Sequence, residues 1–301
     1  MDKRAFDITI AFDKEEYLDT QVKILVNCLK DNVPKDTILH IVTNRNNDDT
    51  LNWVKERIPT KIYYREPFTD LKSRCQYMFK CFDIETDKPW VVKLDLDVLP
   101  IQHMRKIKRV LEDDVDVVIQ VENRRIIKDN ITEKRIWRNI YRTMGIKLPN
   151  FKINYIENGE EGYPLFNTGV IFVKSKHLKY INKRWVELTK IAERWINFGI
   201  HPNEFAFTAM LFDSDMTFKL TRDLYNFNPI GHFRKNPFPD ITLEENCKLP
   251  SDVVLFHYHK PQWLKHCSKT NPKIRKIIDD NKDNIPEEWW NLSNEIFMEK
   301  S

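Results

Sequence analysis

The sequence predicts an α/β fold, a mostly parallel central sheet flanked by helices. Three observations carry that expectation. Short apolar runs rich in β-branched and aromatic residues alternate with longer stretches whose apolar residues recur at helical spacing. That strand–helix–strand rhythm calls for right-handed crossovers between parallel strands. Acidic residues directly follow two of the strands, Asp13 after the first and Asp95 and Asp97 after the fourth, at the edge where such sheets bind ligands.

Ile8 to Phe12 alternates as the first strand, and Tyr17 to Leu29 places Val22, Leu25, Val26 and Leu29 on one helical face. Ile38 to Thr43 is a second strand, Asn44 to Asp49 a polar loop, Leu51 to Ile58 a helix and Lys61 to Tyr64 a third strand. Leu71 to Phe82 reads as a helix carrying Arg74 and Lys80 into the strand at Trp90. Met104 to Leu111 is helical and Val115 to Val121 a strand. Arg124 to Phe151 is basic and helical in its middle, with cations that face solvent or meet an anionic acceptor. Tyr163 to Val173 sets Asn167-Thr168-Gly169 before a buried strand. Lys179 to Phe198 is an amphipathic helix with Trp185, Leu188, Ile191 and Trp195 on a core-facing stripe, and His201-Pro202-Asn203-Glu204 opens a further helix, Phe205 to Phe212. Val253 to Phe256 is the last strand. From His266 the chain is charged, with Pro286, Trp289 and Trp290 in a tail that packs on the domain, mediates assembly or touches a membrane surface.

A length of 301 residues suits one large domain with additions, and 41% hydrophobic content supports a substantial core. Lys and Arg number 49 against 45 Asp and Glu, a balance that argues against a dedicated nucleic-acid protein. With six glycines and neither GxxxxGK[ST] nor GxGxxG, Gly-rich phosphate loops are excluded. Cys28, Cys75, Cys81, Cys247 and Cys267 lack CxxC spacing and read as reduced thiols. The start, MDKRAFDITIAF, lacks the apolar segment of a signal peptide, and no apolar run reaches membrane-spanning length, so the expected location is cytoplasmic.

The chemistry centres on Trp90 to Pro100, WVVKLDLDVLP. Trp90, Val91 and Val92 read as a buried strand, and Asp95 and Asp97 stand two apart across Leu96, a spacing that turns both carboxylates to one face. Pro100 should stop the ladder. Two like charges so placed repel unless a cation lies between them; Mn²⁺ or Mg²⁺ takes carboxylate oxygens and keeps positions open for phosphates. A bare Asp-x-Asp is otherwise a solvated turn. Downstream, His257-Tyr258-His259-Lys260-Pro261-Gln262-Trp263 clusters two imidazoles and an ammonium at a strand end, which suits one metal ligand plus phosphate contacts. Gly169 lets the backbone approach a ligand closely or makes a tight turn.

This order of segments resembles the GT-A-fold glycosyltransferases, a Rossmann-like nucleotide-diphospho-sugar transferase fold, and most closely their family 8, the glycogenin/galactosyltransferase-like group. The resemblance covers roughly residues 6–264. It implies a hexosyltransferase that moves a sugar from a nucleotide-diphosphate donor, a UDP-sugar first, to a sugar, glycan or protein acceptor, with retention. It implies Mn²⁺ or Mg²⁺ held by Asp95, Asp97 and His257, with Lys260 or His259 on the diphosphate and Leu96 beside it. Ala11, Phe12 and Asp13 would hold the uracil, with Tyr17 as a stacking partner. Arg74 or Lys80 would touch sugar or phosphate, and Asn167, Thr168 and Gly169 would line the donor sugar. The family's glycine between the His-Tyr pair and the lysine is missing, so His259 competes with His257 for the metal or with Lys260 for the phosphate. The family's DQD helix start is replaced by His201-Pro202-Asn203-Glu204, which makes Asn203 and Glu204 the catalytic candidates; Glu204 is the base if the reaction inverts.

The implied organisation is a single catalytic domain over residues 1–265, nucleotide-binding to about residue 100 and sugar-binding after it, then a helical tail over 266–301. Nucleic acid is not an expected partner, and no transmembrane segment is expected. Competing readings are a non-catalytic or hydrolytic sugar-nucleotide-binding protein and a metal-dependent phosphotransferase or nuclease using the Asp pair. Pyrophosphorylase-like nucleotidyltransferases rely on a Gly-rich N-terminal signature that is absent here.

Overall fold

A computed structural model describes residues 2–13, 17–46, 48–66, 78–122, 130–155, 161–198, 201–221, 225–227 and 249–290. The chain runs β1 (Phe6–Ala11), α1 (Tyr17–Asn32), β2 (Leu39–Thr43), α2 (Asp49–Lys55), β3 (Thr60–Tyr64), β4 (Trp90–Leu94), β5 (Val98–Pro100), β6 (Val117–Val121), α3 (Asn130–Thr143), β7 (Ile153–Asn154), β8 (Glu161–Gly162) and β9 (Phe166–Lys174). It continues through α4 (Leu178–Ala192), α5 (Pro202–Phe212), β10 (Phe218–Leu220), β11 (Leu255–His257), α6 (Pro261–Thr270) and α7 (Pro272–Asp280). The main sheet has the order β10-β6-β9-β4-β1-β2-β3. All its pairs are parallel except those of β9, which runs antiparallel to both β4 and β6.

The central strands are buried on both faces, which is why they read as continuous apolar runs. Val92 of β4 faces one core with Ile8, Leu25 of α1 and Leu264 of α6. Val91 faces the other with Ile171 of β9, Trp137 of α3, Trp185 of α4 and Phe205 of α5. The Trp185 stripe is therefore core, as its spacing predicts. Under β1, the Asp7 carboxylate accepts from the backbone amide of Ile38 (2.8 Å) and from Thr86 Oγ1 (2.6 Å), and lies 3.1 Å from His40 Nε2.

Several expectations are corrected. The stretch Leu71 to Phe82 falls partly outside the described residues, and its described end, Met78–Phe82, is a 3-10 turn. Met104–Arg109 is likewise 3-10, and α4 stops at Ala192 before a 3-10 turn over Glu193–Phe198. β4 ends at Leu94, so Asp95-Leu96-Asp97 is a turn, closed by the Val98 amide on the Asp95 carbonyl (3.1 Å), and strand alternation does not aim the two carboxylates. Pro100 does not end pairing; it belongs to β5 and lies opposite Leu255. Such a two-stranded ribbon has outer edges that need no amide donor. The last strand starts at Leu255 and joins β5 outside the main sheet.

The described part of the tail, up to residue 290, packs on the domain. Ile274, Ile285 and Trp289 are buried in the core that faces α1, and Asn27 Nδ2 donates to Asn281 Oδ1 at 2.7 Å. No helix among the described residues is long and apolar enough to cross a membrane.

Candidate active site

The Asp95–Asp97 turn lies at the C-terminal end of β4, on the same sheet edge as Asp13 after β1. Two backbone bonds hold it: the Asp95 amide donates to Gly169 O (2.8 Å), and the Tyr258 amide donates to Asp97 O (3.0 Å). The second exists because β11 runs antiparallel to β5 with His257 opposite Val98. His257 Nε2 consequently lies 3.3 Å from Asp97 Oδ1. His259 has φ 56°, a left-handed backbone that returns its ring over that of His257 with centroids 3.7 Å apart. Ligand atoms of Asp97, His257 and His259 all fall within 4.8 Å of one another. Gly169 underlies the cluster: a Cβ there would collide with Cε1 of His257 and lie 2.8 Å from its Nδ1.

Behind the cluster runs a chain of side-chain amides. His257 Nδ1 is 3.0 Å from Asn226 Oδ1, and Asn226 Nδ2 donates to Asn167 Oδ1 at 2.8 Å. The same Asn167 oxygen accepts from the Gly169 amide (2.9 Å), while Asn167 Nδ2 donates to Glu122 Oε2 (2.7 Å). A register shift between Ile119 and Gln120 of β6 sets Gln120 opposite Asn167 and brings Glu122 into reach. An amide oxygen only accepts, so His257 Nδ1 is protonated, and Nε2, which faces Asp97, is the nitrogen left to ligate a metal in the neutral tautomer. That tautomer suits a metal ligand.

No family model and no curated protein matches the sequence. Solved structures do. Galactosyltransferase LgtC in complex with donor and acceptor sugar analogs is 18% identical, with 95% of this chain and 99% of that one covered and a TM-score of 0.56. An active-site mutant of LgtC gives 16% identity, 94% and 98% coverage and a TM-score of 0.58. Mouse xyloside xylosyltransferase 1, apo form, gives 13%, 84% and 97%, and 0.51. The fold is GT-A.

Within this GT-A frame Lys93 is the residue that sequence reasoning missed. It is 1% exposed near the C-terminal end of β4; its Nζ donates to Thr168 O at 2.6 Å and to the Asp95 carboxylate. A charge inside an otherwise apolar strand was the available signal. Asn226, a buried amide between Tyr225 and Phe227, left a weaker one, and Glu122 none. Enclosure pushes the Asp95 carboxyl above the usual range, with Lys93 only partly offsetting it and Asp97 adding to it. Enclosure acts the same way on Asp97, but the charge and hydrogen bond of His257, with His259, hold it well below that range. His257 is correspondingly raised: burial opposes its charge, and Asp97 and Asp95 outweigh burial.

The remaining predicted residues are distributed as follows. Asn203 Nδ2 donates to Thr168 Oγ1 (3.1 Å), which joins the first turn of α5 to the Asn167–Gly169 segment, and half-buried Glu204 follows in that turn. Phe12 is buried under the Arg45 guanidinium, whose Nε donates to Asp13 O (2.5 Å); Ala11 ends β1 half-buried. Leu96 is buried at the turn apex, and Lys260 is the residue directly before α6. Lys80 lies half-buried in the 3-10 turn. Arg74, Cys75, Cys247 and the side chain of Tyr17 lie outside the described residues. Cys28 and Cys81 are buried free thiols, and Cys267 is buried.

Proposed function

We propose that this chain is a metal-dependent glycosyltransferase that moves a sugar from a nucleotide-diphosphate donor, a UDP-sugar first, to an acceptor hydroxyl with retention. One observation carries the reading: Asp97, His257 and His259 converge at the strand-end edge of a GT-A fold, beside Asp95. Carboxylate oxygens and imidazole nitrogens fit a divalent ion such as Mn²⁺, and the ring of His257 fills the place that glycine leaves at residue 169. Asp97 and His257 would hold the ion, joined by Asp95 or His259. Bound there, it supplies Lewis-acid neutralisation of the charge that grows on the leaving diphosphate.

The chain's own residues do the rest. Lys260, beside the cluster, adds a cation for the diphosphate, with Lys80 or Arg74 approaching from the segment before β4. Ala11, Phe12 and Asp13 hold the base at the end of β1. Thr168 and Asn203 meet the donor sugar as a bonded pair. Asn167 works differently from a sugar contact: its amide is engaged with Asn226, Gly169 and Glu122, so it positions His257. In a retaining reaction the leaving phosphate accepts the acceptor's proton, and Glu204 orients substrate.

The test is a donor screen with UDP-glucose, UDP-galactose, UDP-N-acetylglucosamine and GDP-mannose, followed by anomer analysis. Mn²⁺-dependent release of UDP by the wild type, lost in Asp97→Ala with an unchanged circular dichroism spectrum, is the expected result. Undiminished turnover by Asp97→Ala would remove the metal site from the mechanism. An inverted product would assign Glu204 as the base. Hydrolysis of phosphodiesters with indifference to UDP-sugars would identify a phosphotransferase or nuclease instead.

A further inference from the structure

We infer that the exposed cationic face of α3 is an acceptor-binding surface, and that the acceptor it takes is an anionic glycan, a chain bearing phosphate or carboxylate groups. The inference rests on the sugar-transfer reading above and names the class of acceptor, which that reading leaves open.

Charge supplies the first half of the argument. Between Lys134 and Tyr155 the chain has six cations and no acidic residue. The whole chain carries a net charge of +4, so the remainder is −2 (4 minus 6), and the positive excess is gathered in this one stretch. Lys134, Arg135, Arg138 and Arg142 are exposed on α3 and fall within about 100° of arc around its axis. Glu133, the acid of that helix, is buried; its carboxylate accepts from the Tyr163 amide (3.3 Å) and lies 3.6 Å from Lys152 Nζ. None of the four exposed cations has an ion pair among the described residues, whereas Arg184 of α4 meets both Glu187 and Asp213.

Position supplies the second half. The Glu122 amide donates to Leu165 O (2.8 Å), so the segment carrying α3 leaves the sheet at the C-terminal end of β6 and returns at the start of β9. That is the edge where Asp95 and Asp97 follow β4. Against α5, Trp137 packs on Phe205 with ring centroids 4.3 Å apart, and Phe205 adjoins Glu204. The stripe from Lys134 to Arg142 is roughly 12 Å long, enough to meet several charged groups of an extended chain at once. Guanidinium groups suit that task, since each grips phosphate or carboxylate through paired hydrogen bonds. A lipid surface would call for apolar side chains beside the cations; here Trp137, Ile140, Tyr141 and Met144 are buried in the core.

The experiment measures binding of the full chain to fluorescent oligogalacturonate, phosphorylated maltoheptaose and neutral maltoheptaose by anisotropy, with and without UDP and Mn²⁺. UDP-sugar hydrolysis is followed in parallel. One variant combines Arg135→Gln, Arg138→Gln and Arg142→Gln, which keeps good helix formers on the exposed face. A control combines Lys35→Gln, Lys55→Gln and Lys61→Gln, which removes the same charge from exposed positions around β2 and β3. At least one anionic chain should bind the wild type about tenfold or more tighter than the neutral one. That affinity should fall about tenfold in the α3 variant, as three exposed charge contacts together imply, and persist in the control, with hydrolysis unchanged in both. Equal affinity for charged and neutral chains, undiminished binding in the α3 variant, or equal weakening in both variants would overturn the inference and leave sugar transfer standing. So would binding to phosphatidylglycerol vesicles that depends on the α3 arginines without affinity for either anionic glycan; the face would then dock on lipid. Absence of both UDP binding and UDP-sugar turnover in the wild type would overturn the inference and the sugar-transfer reading together.

Discussion

At the scale of the residue, the site depends on how tightly a single imidazole is oriented. His257 is packed on Gly169 Cα and tied through Asn226, and each support predicts a distinct failure. Gly169→Ala pushes the His257 ring off Asp97, and Mn²⁺ affinity should fall together with turnover while the circular dichroism spectrum stays unchanged. Asn226→Ala leaves room but frees the tautomer; loss of such an outer-shell partner should weaken Mn²⁺ binding by roughly 10–100-fold, read by electron paramagnetic resonance of free Mn²⁺. Asp95, Asp97 and His257 were legible in the sequence because acids after an apolar strand and imidazoles after another are chemically conspicuous. Lys93 was not, since a lysine in a five-residue strand reads as an exposed edge until its carboxylate partner is seen. Nor was Asn226, which lies in a short stretch without periodicity.

At the scale of the element, the pairing of β5 with β11 does the assembling, bringing His257 beside a turn 160 positions earlier (257 minus 97). Strands of three residues carry no readable period, so this ribbon and its separation from the main sheet could not be inferred. The parallel strands could, because burial on both faces makes them uniformly apolar. The 3-10 turns at Met78–Phe82 and Met104–Arg109 imitate helices in sequence, as short apolar spacing fits either. The tail segment is structural: Trp289 is 1% exposed and meets Tyr258, the neighbour of both histidines, edge-on at 6.3 Å. Trp289→Ala should lower the unfolding free energy by about 3–5 kcal/mol, measured by urea denaturation, and weaken donor binding in parallel as β11 loosens.

At the scale of the whole molecule, two cores share one sheet, and buried carboxylates tie that sheet to its surroundings. Burial opposes the charge of Asp7, but hydrogen bonds from His40, Thr86 and the Ile38 amide lower it below its ordinary value of 3.8. Asp116 behaves alike, burial being outweighed by Lys176 and His177. A carboxylate lowered by folding stabilises the protein above its unfolded value, and that contribution is lost as pH falls through the lower folded value. Melting temperature should therefore be insensitive to these groups near neutrality and drop steeply below about pH 4, with the drop blunted in Asp7→Asn. Burial also pushes the Cys81 thiol up to about 12 and Cys28 higher still, so neither should react with a thiol reagent until the chain unfolds. The account turns on a metal that links protein to pyrophosphate, and calorimetric titration with UDP in Mn²⁺ and then in EDTA tests it most directly. UDP binding that requires Mn²⁺ and disappears with the chelator is the predicted result; equal UDP affinity in both would contradict it.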